Sequence, residues 1–185
     1  MLIGTIHSSA DIITNSSSEL FICNTSKTLG EIQSMLEILS CVVGYPNCGV
    51  GEIKVYNGVD DFKKVVDSLD TCYLDHTFYR LVNNAVGYDN IKDNNITIPQ
   101  VAHDWNTIYT DGPDDETFEE RMERWDRERD KQREPIEKFF ADNYDFLKEH
   151  IGIFYTIESE SDNTIPYELF ELFERQLNAI RFHLG

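Results

Sequence analysis

No stretch of this chain comes near the ~18 consecutive apolar residues that a membrane-spanning helix needs. Residues 1–10 lack the basic start and the long apolar run of a secretory signal. The expectation is a soluble protein of the intracellular type, with no membrane among its partners. Cysteines are few: Cys23, Cys41, Cys48 and Cys72 stand far apart with no C-x-x-C pairing. That spacing argues against a structural zinc site and for reduced thiols, buried where Cys23 and Cys41 fall in apolar runs. Basic residues are scarce, 16 Lys and Arg against 34 Asp and Glu, for a formal net charge of −18. Such a field repels nucleic acid and favours basic partners or cations. The acids are spread along the whole chain, so no single segment forms a ready strip of nucleic-acid-like charge.

What is present is enough for one domain with a real core: 185 residues, 41% hydrophobic and 12% aromatic. Glu19–Cys23 reads as a buried strand. Asn24-Thr25-Ser26 then suits a helix start, and Leu29, Ile32, Met35, Leu36 and Leu39 recur at helical spacing. Gly44, Pro46 and Gly49 close that helix, and Glu52–Tyr56 alternates as a strand. Near the other end, 152–157 reads as a strand. Pro166 is placed for a first helical turn, and Leu169, Phe170, Phe173 and Leu177 form one apolar stripe. Asn178 stops that helix and Ala179–Leu184 makes a last strand. Two strand-helix-strand units predict an α+β fold with a ferredoxin-like split βαβ core at 1–58 and 152–185. Residues 59–151 then form a long, mainly helical insertion between the second and third strands, all within one domain.

Inside the insertion the pattern predicts helices over Val59–Leu69 and Leu74–Val86, the second ended by Gly87. Residues 88–113 read as loop, with one short strand at Ile96-Thr97-Ile98. A charged helix follows over 114–134, with ten acids against six bases. Phe118, Met122 and Trp125 lie on one face. Arg129 and Gln132 take the continuing positions, so the helix is expected to be packed at its start and solvated towards Arg133. Pro135 is expected to break or kink it.

The most distinctive segment is Ser8-Ser9-Ala10-Asp11-Ile12-Ile13-Thr14-Asn15-Ser16-Ser17-Ser18-Glu19-Leu20-Phe21-Ile22. It resembles the opening motif of a broad set of uncharacterised proteins of tailed bacteriophages, most of all those of Bacteroidales phages, including the crAss-like group. The closing Arg181-Phe182-His183-Leu184-Gly185 is similar to endings in some of them. The resemblance covers about 15 residues at the front and a few at the back. It implies phage origin, and hence the host bacterial cytoplasm or the virion. It carries over no catalytic residue.

Candidate sites follow from residue chemistry. Asn15, Ser16, Ser17 and Ser18 precede a strand with backbone N–H groups and hydroxyls that suit an anion, although the commoner role is an Asx/Ser turn. The lysine of a P-loop is missing. Arg181 and His183 share one face of the last strand, opposite Ile180, Phe182 and Leu184, and suit an acidic or phosphate ligand. The commoner role is the solvated side of an amphipathic strand. His103-Asp104-Trp105 falls in loop and suggests a contact surface. Trp105, Trp125 and Arg129 are candidate partner-binding residues, against the alternative of a solvated helix. The Asp/Asn-rich runs at 89–95 and 158–163 miss the EF-hand pattern. No catalytic residue, metal ligand or cofactor is assigned. The favoured reading is a non-enzymatic acidic phage protein acting through protein contacts, as a host-factor inhibitor or a virion or assembly component. The alternative is a small nucleotide- or phosphate-binding enzyme using the Asn-Ser-Ser-Ser turn.

Overall fold

The structure, a computed structural model, describes residues 18–43, 50–101, 103–108, 112–113, 116–159 and 173–184. It mixes helices with a four-stranded antiparallel sheet, so the α+β expectation holds. The chain divides into two compact units, Met1–Phe62 with Ile151–Gly185, and Lys63–His150.

The first unit holds β1 (Ser18–Cys23), α1 (Leu29–Val43), β2 (Val50–Asn57), β3 (Ile153–Ser159) and β4 (Ala179–Leu184). The strands lie in the order β2-β3-β1-β4, each antiparallel to its neighbours. Phe21 sits opposite Ile157 on one side and Arg181 on the other; Cys23 sits between Tyr155 and Ala179. On this face Phe21, Cys23, Tyr155, Ile157 and Ala179 pack with Ile32 and Leu36 of α1 and with Phe173 and Leu177. The Phe21 and Phe173 rings are 4.8 Å apart. The opposite face is buried too, through Leu20, Ile22, Phe154, Ile180 and Phe182. There the Phe154 ring stacks on Tyr56 at 5.2 Å and meets Phe62 edge-on at 5.6 Å. Apolar side chains on alternate positions of both faces are what a strand buried on both sides requires.

One expectation is corrected here. The helix starts at Leu29, capped by Thr28, and not at Asn24–Ser26. Thr28 donates its backbone N–H and its hydroxyl to Glu31, which donates its own N–H back to Thr28 Oγ1. This reciprocal Thr-x-x-Glu cap satisfies helix-end donors that the upstream residues leave open. Arg181 on β4 is exposed, on a sheet face that it shares with the buried Phe21, Ile157 and Ala179. Asn178 stops the preceding helical turn as expected, with φ 48°.

The division between units falls within α2 (Gly58–Ser68). There follow α3 (Thr71–Leu74), α4 (Phe78–Val86), α5 (Tyr88–Asp93), α6 (Trp105–Ile108), α7 (Phe118–Asp142) and α8 (Tyr144–His150). Leu81, Val82, Ile136 and Leu147 are buried in this unit, and Phe78 meets Phe139 edge-on at 5.6 Å. The expected single helix over 74–86 is split, because His76 adopts φ 57°, outside the right-handed helical region. The expected loop over 88–113 contains α5 and α6, and Ile96–Ile98 forms no strand. Gly87, at φ 93°, turns the chain into α5, and buried Ile91 holds that short helix down.

Pro135 does not end α7. A proline inside a helix costs about 3 kcal/mol. Burying Ile136, Phe139 and Phe140 just beyond it is worth roughly 1.5–3 kcal/mol each, which is enough to carry the helix on. The expected stripe holds in part: Met122 and Trp125 are half-buried, but Phe118 is 75% exposed, and Gln132 and Arg133, expected in solvent, are half-buried as well. Arg133 donates to the carbonyls of Leu69 (2.5 Å) and Val66 (3.0 Å) and so caps the C-terminal end of α2. Gln132 accepts from the Asp104 N–H at 3.1 Å. Long polar side chains thus anchor the middle of α7, where an apolar pattern predicts solvent.

Candidate functional site

The start of α7 is built with care and ends in an exposed ring. Thr117 caps the helix, its hydroxyl oxygen accepting from the Glu120 N–H while the Glu120 carboxylate accepts from the Thr117 N–H and hydroxyl. One residue upstream, Glu116 accepts from Arg124 Nε at 2.9 Å and Nη2 at 3.0 Å, and from Arg121 Nε at 3.4 Å. These bonds hold the Glu116 carboxyl below the usual carboxylate range, the Arg124 hydrogen bond foremost. Gly112 lies so close that a Cβ there would collide with the Glu116 carboxylate. Gly112 and Glu116 are thereby held against the first turns of α7. Phe118 stands on this braced platform and is the most exposed of the large apolar side chains among the described residues. Around it Glu119, Glu120 and Glu123 are exposed, while Arg121 and Arg124 are turned to Glu116 and Arg127 to Glu123.

The residues singled out from the sequence take several places. Asn15, Ser16 and Ser17 lie outside the described residues. Ser18 opens β1 opposite Leu184. Arg181 reaches back to Glu19, its Nε 2.7 Å from Oε2 and its Nη2 2.6 Å from Oε1. Glu19 is 1% exposed, so this guanidinium already answers a buried carboxylate of the same sheet. His183 lies opposite Glu19 in the strand register. Trp105 begins α6, and Trp125 is half-buried on α7.

Arg129 is half-buried and bonded to Asp126, with Asp70 3.6 Å away. Asp70 is the N-cap of α3 and accepts from the Cys72 N–H and from the Thr71 hydroxyl, both at 3.2 Å. Burial raises its pKa, but those two bonds, with the Arg129 and His103 charges, outweigh it and leave the carboxyl below its ordinary value. His103 is buried, not part of a contact surface as its sequence setting suggests; its Nδ1 is 2.7 Å from Thr71 Oγ1. Thr71 is 1% exposed. The Thr71–His103 pair has the spacing of a nucleophile and base, but its sealed hydroxyl makes it a brace for α3.

Glu116 and Phe118 were missed by reading for catalytic constellations. The Thr117-Phe118-Glu119-Glu120 pattern is a capping box in plain sight. It puts Phe118 at the first helical position, where a side chain has no preceding turn to pack on. Among the described residues, no group of three His, Cys, Asp or Glu stands where it could hold a metal ion, and no helix is long and apolar enough to cross a membrane. Comparison with protein-family models, with curated proteins and with solved structures finds no match to this chain.

Proposed function

We propose that this protein acts by docking on another protein, without catalysis of its own, and that Phe118 is the anchor of the contact. The observation that carries the reading is the exposure of a whole phenyl ring on a helix end locked by a capping box and a carboxylate clamp. Aromatic anchors dominate binding energy at protein interfaces, and an anchor fixed in advance loses little freedom on binding. The exposed carboxylates around it, and the −18 charge of the chain, favour a partner whose pocket is rimmed by Lys or Arg and disfavour nucleic acid.

The opening motif's resemblance to tailed-phage proteins supports a setting in the infected bacterial cell or the virion, with a partner of host or phage origin. The first unit is read as a ferredoxin-like split βαβ core. The antiparallel order β2-β3-β1-β4 supports this, as does α1 between β1 and β2. Its expected second helix, with Pro166 in the first turn and the stripe running to Leu177, lies outside the described residues up to 172; Phe173 and Leu177, at its described end, pack in the core.

Affinity capture from host cells with the wild type and with Phe118→Ala tests the proposal. A defined protein should be retained by the first and lost by the second, at equal thermal stability. Identical capture by both, or capture of nothing by the wild type, would count against it.

A further inference from the structure

β2 lies at one end of the sheet, and among the described residues no strand pairs with its outer side. The register shows which of its backbone groups are left over. Gly58 donates its N–H to the Gly152 carbonyl, next to the Asn57–Ile153 pair. Bonded and non-bonded pairs alternate along an antiparallel ladder. Lys54 and Tyr56 therefore bond to Thr156 and Phe154, while Ile53, Val55 and Asn57 turn their N–H and C=O groups away from β3. Asn57 bears this out, because its N–H donates to Asp61 Oδ2 at 3.1 Å. A bulge between Val50 and Ile53 breaks the ladder at the other end, so the open stretch is Ile53–Tyr56. Val55 is 50% exposed there, and Ile153, diagonal to it on the same face, is 55% exposed. A lysine often guards such an edge, but Lys54 is turned to Glu158 on the neighbouring strand. Within β2, β3 and the first turn of α2, the carboxylates of Glu52, Glu158, Asp60 and Asp61 stand against that one cation.

We propose that an extended, Lys- or Arg-bearing segment of a partner protein pairs with β2 as a further antiparallel strand. The open groups are backbone donors and acceptors at alternate residues, and another extended backbone presents their complement at the same spacing. Pairing places the residues opposite Ile53 and Val55 on the face of Val55 and Ile153, where apolar side chains fit. The residues between them fall on the face of Lys54 and Glu158, where Lys or Arg meets the local excess of carboxylates. A second copy of this chain would bring the same carboxylates and a net charge of −18 to the edge, which disfavours it as the occupant. The contact belongs to the first unit and uses none of the residues around Phe118.

The test is amide NMR of the full chain titrated with a short capped peptide of alternating Lys and Val. Two control peptides accompany it: one with Glu for Lys, and one N-methylated at each Val. The expected result is saturable shifts centred on Ile53, Val55 and Ile153. At saturation, amide exchange should slow at Ile53 and Val55 but change little at Lys54 and Tyr56, which already bond to β3. The N-methylated peptide loses the backbone donors and should bind at least about tenfold more weakly; the Glu peptide should not bind. Val55→Pro removes an outward N–H, at an edge position where proline is tolerated, and should abolish binding of the Lys-Val peptide. Phe118→Ala should leave that binding unchanged, which separates this edge from the proposed anchor. Absence of saturable binding, saturation at other residues, or equal binding of the N-methylated or Glu peptide would overturn the proposal. So would concentration-dependent shifts at Ile53 and Val55 in the protein alone, which would make a second copy the occupant.

Discussion

Arg181 on β4 forks onto the two carboxylate oxygens of Glu19 on β1, at 2.7 and 2.6 Å, and closes a charged pair at the end of a hydrophobic sheet face. The two are diagonal neighbours, since Glu19 faces His183 and Arg181 faces Phe21 in the register. Glu19 is sealed from solvent, while the Arg181 side chain keeps 35% of its exposure.

Removing one member of such a pair strands the other. Arg181→Met leaves the Glu19 carboxylate buried without its guanidinium and should cost about 3 kcal/mol in urea unfolding, the low end for a buried pair because Arg181 reaches water. The double variant Glu19→Leu with Arg181→Met should recover most of that loss. If the double variant is as unstable as the sum of the singles, the two residues are not acting as a pair.

Acid should weaken the brace at α3. Asp70 has its pKa lowered in the folded protein, so its contribution is fully present above its unfolded value, ~3.9, and is lost as pH falls through the folded value. Asp70→Asn keeps a capping side chain but removes the charge. It should be less stable than wild type at pH 7, and the difference should shrink below about pH 4. A gap that stays constant from pH 7 to pH 3 would rule out this role for Asp70.

The thiols should differ sharply in reactivity. Burial pushes the Cys23 thiol up to about 12, and burial with the neighbouring Asp70 charge pushes Cys72 up to about 11. Cys41 is exposed on α1. Because the thiolate is the reacting form, iodoacetamide at pH 8 should label Cys41 before Cys72 in the native protein, among the described thiols, and reach Cys23 only on unfolding. Peptide mapping over time gives the order directly, and early labelling of Cys23 would refute it.

The strands of the first unit were readable from apolar runs where both faces are buried, as at Glu19–Cys23, and from alternation at Ala179–Leu184, where Ile180 and Phe182 point inward. The 63–150 region was less readable because its decisive features are not apolar periodicity. His76 breaks a helical run by taking a left-handed conformation that any sequence window would assign to Gly or Asn. Tyr88–Asp93 is a helix held by one buried residue, Ile91, amid polar ones. On α7 the inward positions belong to Gln132 and Arg133, whose partners lie 28 and 64 residues away in sequence. Phe118 looked like core because aromatic residues usually are. The capping box, which marks where α7 begins, was the sequence signal that could have placed it outside.

The clamp that fixes Phe118 is itself testable. Gly112→Ala pushes a methyl group into the Glu116 carboxylate and towards Arg124. It should loosen the first turns of α7, seen as faster amide hydrogen exchange at 118–122, while exchange near Phe139 stays slow. Unchanged protection at 118–122 would mean that Glu116 does not brace the helix.

The most direct measurement is the affinity of the captured partner for wild type and for Phe118→Ala, each with its unfolding free energy determined alongside. An exposed side chain contributes little to the fold, so stability should change by no more than about 0.5 kcal/mol. Affinity should fall by at least about tenfold, equivalent to about 1.4 kcal/mol or more. Equal affinity in the two proteins, or a loss that only follows unfolding, would contradict docking through Phe118.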